Sequence, residues 1–323
     1  MKRILITGAS SGIGLEAARL LACSDHRLIL CCRTNARIEQ TRRILIDAGA
    51  DASRVDGVVM DLADLGSVER GCQQLLAQGL ALDALVLNAG LQRAGDPTPA
   101  RSAQGIELTF AVNQLAHQLM AMRLLPLLQQ APQPRLVITA SDVHDPCTGG
   151  GRVGQPASLG ELQGLRSGAG FGMVDGSPRF DGDKAYKDSK LCNVLMGREL
   201  ARQLDEAMPV IAWSPGLVIP RGDGGFFRFN RQRNPLGMAL FSLLARDLLR
   251  LTESVDHAGG LLADLSTAAE FSTAGFSYIS NRLVRPGLHR FAAVETSAEG
   301  ADPLKAAELW KCCTQLIEAC LSG

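Results

Sequence analysis

The stretch Thr7-Gly-Ala-Ser-Ser-Gly-Ile-Gly14, directly after the apolar run Ile4-Leu5-Ile6, decides the fold of this chain. It lies between a predicted strand and a predicted helix. Glycine lets the backbone adopt positive φ and approach a pyrophosphate closely. The first N–H groups of the following helix attract phosphate. The stretch therefore predicts a dinucleotide site, with the binding residues Gly8, Ser10, Ser11, Gly12, Ile13 and Gly14.

Short apolar runs alternate with longer helical patterns along the rest of the chain. Strand, helix and strand in repetition predict a parallel sheet covered on both faces, which is a doubly wound α/β fold of the Rossmann type. The predicted strands are Arg3–Thr7, Arg27–Cys32, Gly57–Met60, Ala84–Leu87, Arg135–Thr139, Pro209–Trp213 and Phe276–Ser280. The helical patterns include Gly14–Ala22, Val68–Ala77, Ile106–Gln129 and Asp183–Leu204.

Two segments interrupt this alternation. Residues 146–180 are rich in Gly, Pro and Ser, and residues 217–274 begin with a glycine-rich stretch at 221–225 before they become apolar. Long irregular segments inside a compact domain usually serve a site. Both follow predicted strands at their carboxyl ends, where open α/β sheets bind ligands. We expect one domain over residues 1–323 with two substrate-side insertions.

The composition excludes several classes of protein. Lys and Arg total 33, and Asp and Glu total 33, so no excess of positive charge favours nucleic acid. The nine cysteines are scattered and form no C-x-x-C pair, which predicts no metal site and favours a reducing, cytoplasmic compartment. We expect no secretory signal, because the glycine turn is reached by Gly8. The apolar stretch Leu236–Leu251 is too short and too charged to span a bilayer.

The end of the second predicted strand predicts which cofactor binds. A carboxylate at this position would bind a ribose 2′-hydroxyl, as in NAD sites. The strand ends instead in Cys32 and Arg33, and no carboxylate follows until Glu39. The planar guanidinium of Arg33 suits a 2′-phosphate. The residue pattern favours NADP(H) over NAD, with an ordinary solvated charge as the alternative for Arg33.

Two further strand ends carry candidate cofactor contacts. Asp61 and Leu62 close the third predicted strand and could hold the adenine edge. Asn88, Ala89 and Gly90 close the fourth, where small residues would let a cofactor pass. Plain strand-end turns are the alternative for both.

Tyr186 and Lys190 are the candidate acid–base pair. They lie four residues apart and share one face of a predicted helix. A free phenol has a pKa of about 10. A neighbouring ammonium favours the phenolate, so we expect Lys190 to lower the pKa of Tyr186. Pairs at this spacing also occur by chance on solvated helices. The glycine-rich stretch and the pair together indicate hydride-transfer chemistry.

The order of these motifs resembles the short-chain dehydrogenase/reductase family over about residues 1–216. The resemblance adds Asn113, Ser141, Pro215 and Gly216. It implies that Tyr186 exchanges the proton and that Lys190 binds the nicotinamide ribose and tunes Tyr186. Ser141 would orient the substrate oxygen, and Asn113 would hold a water or helix backbone. Pro215 and Gly216 would contact the cofactor. His117 and His144 are assigned no catalytic role.

A longer stretch, Phe180-Asp-Gly-Asp-Lys-Ala-Tyr-Lys-Asp-Ser-Lys-Leu-Cys-Asn193, resembles the light-dependent protochlorophyllide reductases. So do residues 157–165 and the length of the insertion before Tyr186. In that family the pigment absorbs light, NADPH gives a hydride to one ring carbon, and a protein group protonates its neighbour. The resemblance implies NADP(H) as cofactor, a tetrapyrrole substrate and a place in chlorophyll biosynthesis.

The chain departs from that family near the Pro-Gly pair. The family has Tyr before the pair and Cys after it, whereas this chain has Ser214 and Leu217. Residues 113–117 also differ from the family's Asn-His-Leu-Gly-His, while Cys192 matches a family cysteine. Either Tyr186 suffices for protonation or the activity has drifted.

Three functions remain open from the sequence. The first is an NADPH-dependent reductase of protochlorophyllide or a related tetrapyrrole. The second is a dark carbonyl or alcohol dehydrogenase on a bulky lipophilic substrate, retinoid-like or steroid-like. The third is a non-catalytic nucleotide-binding sensor, which the intact Ser141, Tyr186 and Lys190 disfavour.

The segment from Phe226 to Leu251 combines phenylalanines and arginines with an apolar helical pattern. Its apolar part, Leu236–Leu251, predicts a helix, and one interpretation is that this helix closes the substrate pocket. Peripheral membrane contact and a homo-oligomer contact are the two other interpretations.

Overall fold

An eight-stranded sheet forms the centre of the protein. The computed structural model describes residues 1–220 and 226–322. The strands are β1 Arg3–Thr7, β2 Arg27–Cys32, β3 Val55–Val59, β4 Ala84–Leu87, β5 Arg135–Thr139, β6 Pro209–Ser214, β7 Gly275–Arg285 and β8 Leu288–Ala293. Their order across the sheet is β3-β2-β1-β4-β5-β6-β7-β8. Strands β1 to β7 pair in parallel, and β8 adds an antiparallel edge.

Helices connect the strands and cover both faces. They are α1 Gly12–Cys23, α2 Asn35–Asp47, α3 Leu65–Gln78, α4 Leu108–Phe110, α5 Ala116–Gln129, α6 Gln163–Arg166, α7 Gly182–Gln203, α8 Arg228–Arg233, α9 Pro235–Ser242, α10 Val255–Thr267 and α11 Pro303–Ser322. A π turn, Ala111–Leu115, joins α4 to α5, and a second, Leu243–Leu248, follows α9. The predicted doubly wound α/β fold is confirmed, and all seven predicted strands are present. Strands β1, β2, β4 and β5 have the predicted ends, and the ends of β3, β6 and β7 are shifted by one to five residues.

Alternate residues of each strand belong to two different cores, because successive side chains point to opposite faces. Ile4 and Ile6 of β1 pack in the core that includes residues of α1, α2 and α10. Leu5 and Leu85 pack in the core that includes residues of α3, α5, α7 and α11. The protein is therefore a three-layer α/β/α sandwich.

The predicted insertion at 217–274 contains two different parts. Its end, α10, packs Leu262 and Leu265 into the same core as Ala17 and Leu21 of α1. This helix therefore completes the layer on the α1 face and does not belong to the α7 side. The stretch 221–225, with which the insertion was predicted to begin, lies outside the described residues.

The predicted insertion at 146–180 is attached to α7 by two lysines. Lys184 Nζ lies 2.6 Å from Asp188 Oδ2 and 3.1 Å from Asp175 Oδ2, and all three side chains are largely buried. Lys187 Nζ donates hydrogen bonds to backbone carbonyls between 151 and 155. These lysines flank Tyr186 in sequence, so the insertion is held beside it.

The predicted helix at Leu236–Leu251 forms as α9 and the following π turn. Most of its large apolar side chains face solvent, and the exposed ones are Leu236, Leu240, Phe241, Leu243, Leu244, Leu248 and Leu249. Within the described ranges, no helix is long and apolar enough to cross a membrane.

Candidate active site

The glycine-rich turn after β1 packs too closely against its neighbours to accept a side chain at Gly8 or Gly14. Gly8 has φ +70°, and a Cβ there would lie 2.9 Å from Ala89 Cα. A Cβ on Gly14 would lie 2.4 Å from the Gly8 carbonyl oxygen. Ser11 begins α1 without a side-chain cap, so its side chain does not occupy the N–H groups of the first turn. Close backbone packing and an uncapped helix start fit the pyrophosphate of a dinucleotide.

Thr7 connects the glycine-rich turn to the end of β4. Its Oγ1 accepts 2.9 Å hydrogen bonds from the N–H groups of Asn88 and Ala89. Asn88 Nδ2 donates to the Thr7 carbonyl at 3.1 Å, and Asn88 Oδ1 accepts from Thr139 Oγ1 at 3.2 Å. The predicted contact residue Asn88 therefore ties together the carboxyl ends of β1, β4 and β5.

Asn113 lies in the π turn and fixes the chain that follows Gly90. Its Oδ1 accepts from the N–H of Leu91 at 2.9 Å, and its Nδ2 donates to the Leu91 carbonyl at 3.0 Å. Its own carbonyl accepts a 2.7 Å hydrogen bond from Asn193 of α7. The Asn113 side chain thus holds loop backbone, whereas the resemblance implied a water or helix backbone.

His117 is buried beneath the same strand ends. One ring nitrogen lies 3.2 Å from Thr7 Oγ1 and the other lies 3.2 Å from the Asn113 carbonyl oxygen. Burial, with the nearby charge of Lys190, lowers the pKa of His117 to about 3. The imidazole is therefore neutral and serves as a connector between β1 and the π turn.

Tyr186, Lys190 and Ser141 meet at the carboxyl end of β5. The Ser141 hydroxyl hydrogen-bonds to the Tyr186 phenol. Lys190 Nζ lies 5.7 Å from the centre of the Tyr186 ring and donates to the Thr139 carbonyl at 2.7 Å. The predicted triad thus combines Tyr186 and Lys190 of α7 with Ser141, which lies two residues after the end of β5.

The pKa shifts differ from the expected direction. Burial raises the pKa of Tyr186, and only the Ser141 hydrogen bond opposes this. Burial also lowers the pKa of Lys190 to about 7. The expectation that Lys190 lowers the pKa of the phenol is therefore wrong for this state, because desolvation dominates and Lys190 does not oppose it. A protonated phenol is the form that can donate a proton.

The Pro215-Gly216 turn lies against β7. Gly216 has φ +78°, and a Cβ there would lie 2.7 Å from the Asn281 carbonyl oxygen. Asn281 Nδ2 lies 3.3 Å from the Pro215 carbonyl oxygen. Glycine is therefore required at this approach of the turn to the sheet, next to the reacting triad.

Three arginines gather near the end of β2. The positive charges of Arg33 and Arg37, after a larger effect of burial, lower the pKa of Arg228. Across residues 1–220 and 226–322, none of the three guanidinium groups forms an ion pair with a carboxylate. Three positive guanidinium groups without a carboxylate partner in these ranges are suited to bind an anionic group of a ligand. Arg37 and Arg228 were not predicted from sequence.

Asp61, predicted to contact the adenine, lies after the end of β3. Its Oδ1 accepts a 3.0 Å hydrogen bond from the N–H of Ala63. Asp61 thus forms a turn at the end of β3. Leu62 follows it and packs partly buried against the core.

The segment around α8 lies over the triad. The rings of Phe226 and Tyr186 are 5.1 Å apart, and Asn230 Oδ1 accepts a 3.3 Å hydrogen bond from the N–H of Ala94. Arg233 pairs with Asp96. Part of the predicted 217–274 insertion therefore covers Tyr186, whereas the exposed side chains of α9 named above face solvent.

Comparisons with known proteins agree with this geometry. Residues 2–147 match the family model for short chain dehydrogenase. The chain is 33% identical to protochlorophyllide reductase A of Oryza sativa subsp. japonica, over 97% of this chain and 80% of the relative. It is 32% identical to the protochlorophyllide reductase of Avena sativa, over 97% of this chain and 99% of the relative.

Solved structures show the same fold. An uncharacterized protein from Mycobacterium paratuberculosis superposes with a TM-score of 0.69 at 25% identity, covering 98% of this chain and 94% of that one. The NADP complex of RhlG from Pseudomonas aeruginosa superposes with a TM-score of 0.62 at 20% identity, covering 87% and 94%. This chain is a member of the short-chain dehydrogenase/reductase family, an oxidoreductase family with a nicotinamide cofactor, and within it resembles the protochlorophyllide reductases.

Proposed function

We propose that the protein is an NADPH-dependent reductase of a bulky, lipophilic tetrapyrrole, with protochlorophyllide as the first candidate. The observation that carries the proposal is the half-buried Tyr186 beside Ser141 and Lys190, at the same carboxyl edge of the sheet as the glycine-rich turn. The likeness to protochlorophyllide reductases over 97% of the chain supports the choice of substrate. The pair of insertions supports a large substrate.

NADP(H) is favoured over NAD(H) by the arginines at the end of β2. A 2′-phosphate would offset the repulsion that Arg33 and Arg37 exert on Arg228, whose pKa is lowered by burial and then by these two charges. Arginine forks bind phosphate bidentately. Gly8, Gly14 and the start of α1 would hold the pyrophosphate.

Each residue of the site then has a separate role in the reduction. Bound NADPH supplies a hydride to the substrate. Tyr186 donates the matching proton from its hydroxyl, because burial keeps the phenol protonated. Ser141 stabilises the phenolate that remains by its hydrogen bond, and Lys190 contributes when it carries a proton. Phe226, on the Tyr186 ring, excludes water from the reacting atoms.

An illumination assay tests this proposal. Protein, NADPH and protochlorophyllide are mixed in the dark, and the absorption of the pigment is followed before and after light. We expect a stable dark complex whose spectrum changes to that of the reduced pigment only on illumination. A complex that does not react in light would contradict the proposal.

A dark carbonyl reductase is the second candidate, and Ser214 and Leu217 favour it. The Ser214 hydroxyl accepts a 3.1 Å hydrogen bond from the N–H of Asp142, and Leu217 is exposed. The chain thus lacks the phenol and thiol of the resembling reductases at these positions. NADPH oxidation in the dark with a retinoid-like or steroid-like ketone would support this candidate. Cofactor binding without turnover of either substrate would indicate a nucleotide sensor.

A further inference from the structure

Ser141 lies beyond the part of β5 that the sheet holds. The parallel ladder between β5 and β6 ends at the pair Thr139 and Trp213, and one more backbone hydrogen bond fixes Ala140. Ser141 itself is half-buried, and its Oγ lies 3.5 Å from the N–H of Val143. Something other than the ladder must set the position of its hydroxyl.

The next residue, Asp142, is fixed from three sides. Tyr278 Oη donates a 2.9 Å hydrogen bond to Asp142 Oδ1, and Ser280 Oγ donates a 2.6 Å hydrogen bond to Oδ2. The backbone N–H of Asp142 donates to Ser214 Oγ at 3.1 Å. Arg282 Nε lies 3.7 Å from Oδ1, within ion-pair distance. Both carboxylate oxygens are therefore engaged by groups on β7.

The donors themselves are rigid. Tyr278 is buried and packs with Ala140 and with Val194 of α7. Its ring meets that of His144 edge to face at 5.0 Å. Burial and the Asp142 charge raise the pKa of Tyr278, so its phenol stays protonated and donates. Ser280 is fully buried in the same strand.

We propose that Asp142 is a positioning residue, which holds the Ser141 hydroxyl on the Tyr186 phenol through its hydrogen bonds to Tyr278 and Ser280. The proposal rests on the proposed function only for the catalytic roles of Ser141 and Tyr186. Charge-assisted hydrogen bonds to a carboxylate are stronger than neutral ones. Without them, residues 141 and 142 would keep the backbone contact to Ser214 and the hydrogen bonds of their own turn, such as those from His144 to the Ser141 carbonyl and from Thr148 to the Asp142 carbonyl. None of these joins the turn to β7.

The chain contains only two tyrosines, Tyr186 and Tyr278, which makes a direct readout available. The ring-carbon NMR resonance next to a phenol oxygen reports its hydrogen bonding without cofactor or substrate. Isotope-labelled tyrosine gives one such resonance for each residue. The Tyr186→Phe variant assigns them, since its remaining resonance belongs to Tyr278.

The experiment compares Asp142→Ala, Ser141→Ala and the double variant. We expect Asp142→Ala to move the Tyr186 resonance in the same direction as Ser141→Ala, and the double variant to add little, because both act through one hydrogen bond. Asp142→Asn, which keeps one acceptor oxygen, should give an intermediate shift. If Asp142→Ala fails to fold, Ser280→Ala replaces it. Asp145→Ala in the same loop is the matched control and should leave the resonance unmoved.

Activity gives a second readout. With the substrate that the wild type reduces, Asp142→Ala should lower kcat about tenfold and leave KM for NADPH unchanged. An unmoved Tyr186 resonance in Asp142→Ala, or shifts that add fully in the double variant, would overturn the inference. A wild type that reduces neither substrate class would contradict the proposed function alone, because the NMR comparison is made without turnover.

Discussion

Lys190 Nζ donates a 2.7 Å hydrogen bond to the carbonyl of Thr139, the last residue of β5. Its second contact is Asn193 Oδ1, at 3.3 Å. The lysine is thus fixed between the sheet and α7, and burial lowers its pKa to about 7. The hydrogen bond to Thr139 holds Lys190 beside Tyr186, and the lowered pKa of Lys190 makes the stability of the protein depend on pH.

The pH dependence has a definite sign. The pKa of Lys190 falls from 10.5 in the unfolded chain to about 7 in the folded protein. Between these values the unfolded chain binds more protons, so the free energy of unfolding rises with pH by up to about 1.4 kcal/mol per unit. We expect this rise in the cofactor-free wild type and not in Lys190→Met. Urea denaturation from pH 7 to pH 10 measures it, and parallel curves for the two proteins would refute the assignment.

Cofactor preference tests the arginines at the end of β2. Arg33→Ala should weaken NADPH binding about tenfold or more, since charge-assisted hydrogen bonds to phosphate are lost, and leave NADH binding nearly unchanged. Arg228→Ala should have the same selective effect but a smaller one. Fluorescence titration gives both dissociation constants. Arg43→Ala, an exposed arginine of α2, is the control. Equal losses for NADPH and NADH would contradict a 2′-phosphate site.

The buried lysine that anchors the 146–180 insertion gives a stability prediction. Lys184→Ala would leave Asp188 buried without its 2.6 Å partner. Removing one member of a buried ion pair costs about 3–5 kcal/mol. The free energy of unfolding, from urea denaturation, should fall by that amount, whereas Lys311→Ala on the surface should change it little. A loss in Lys184→Ala as small as in the control would show that the pair does not hold the insertion.

Much of the fold could be predicted from local patterns. Five of the seven predicted strands, β1, β2, β4, β5 and β6, are short apolar runs buried on both faces, and such runs are recognisable in sequence. Strand β8 was not predicted because it lies at the edge of the sheet and none of its residues is fully buried. The position of α10 on the α1 face could not be predicted, since an apolar pattern shows which side of a helix is buried but not which layer it joins.

Some features of the candidate site could also be predicted from local sequence, and others could not. Gly8, Tyr186 and Lys190 could be predicted from local spacing. Gly8 belongs to one short glycine-rich turn, and Tyr186 and Lys190 lie one helical turn apart. The contact of Asp142 with Tyr278 joins residues far apart in sequence, and no local pattern indicates it. The direction of the Tyr186 pKa shift was also beyond sequence, since it depends on burial by segments such as the one that carries Phe226.

The most direct test of the central claim is the turnover of Tyr186→Phe. The variant removes the hydroxyl and keeps the ring that packs against Phe226. It is compared with wild type in the illuminated protochlorophyllide assay and in the dark ketone assay, with NADPH affinity measured in parallel. We predict that kcat falls by about 10² to 10⁴ in whichever assay the wild type is active, with the dissociation constant for NADPH within about twofold. Wild-type turnover in the variant would contradict the account, because another group would then deliver the proton.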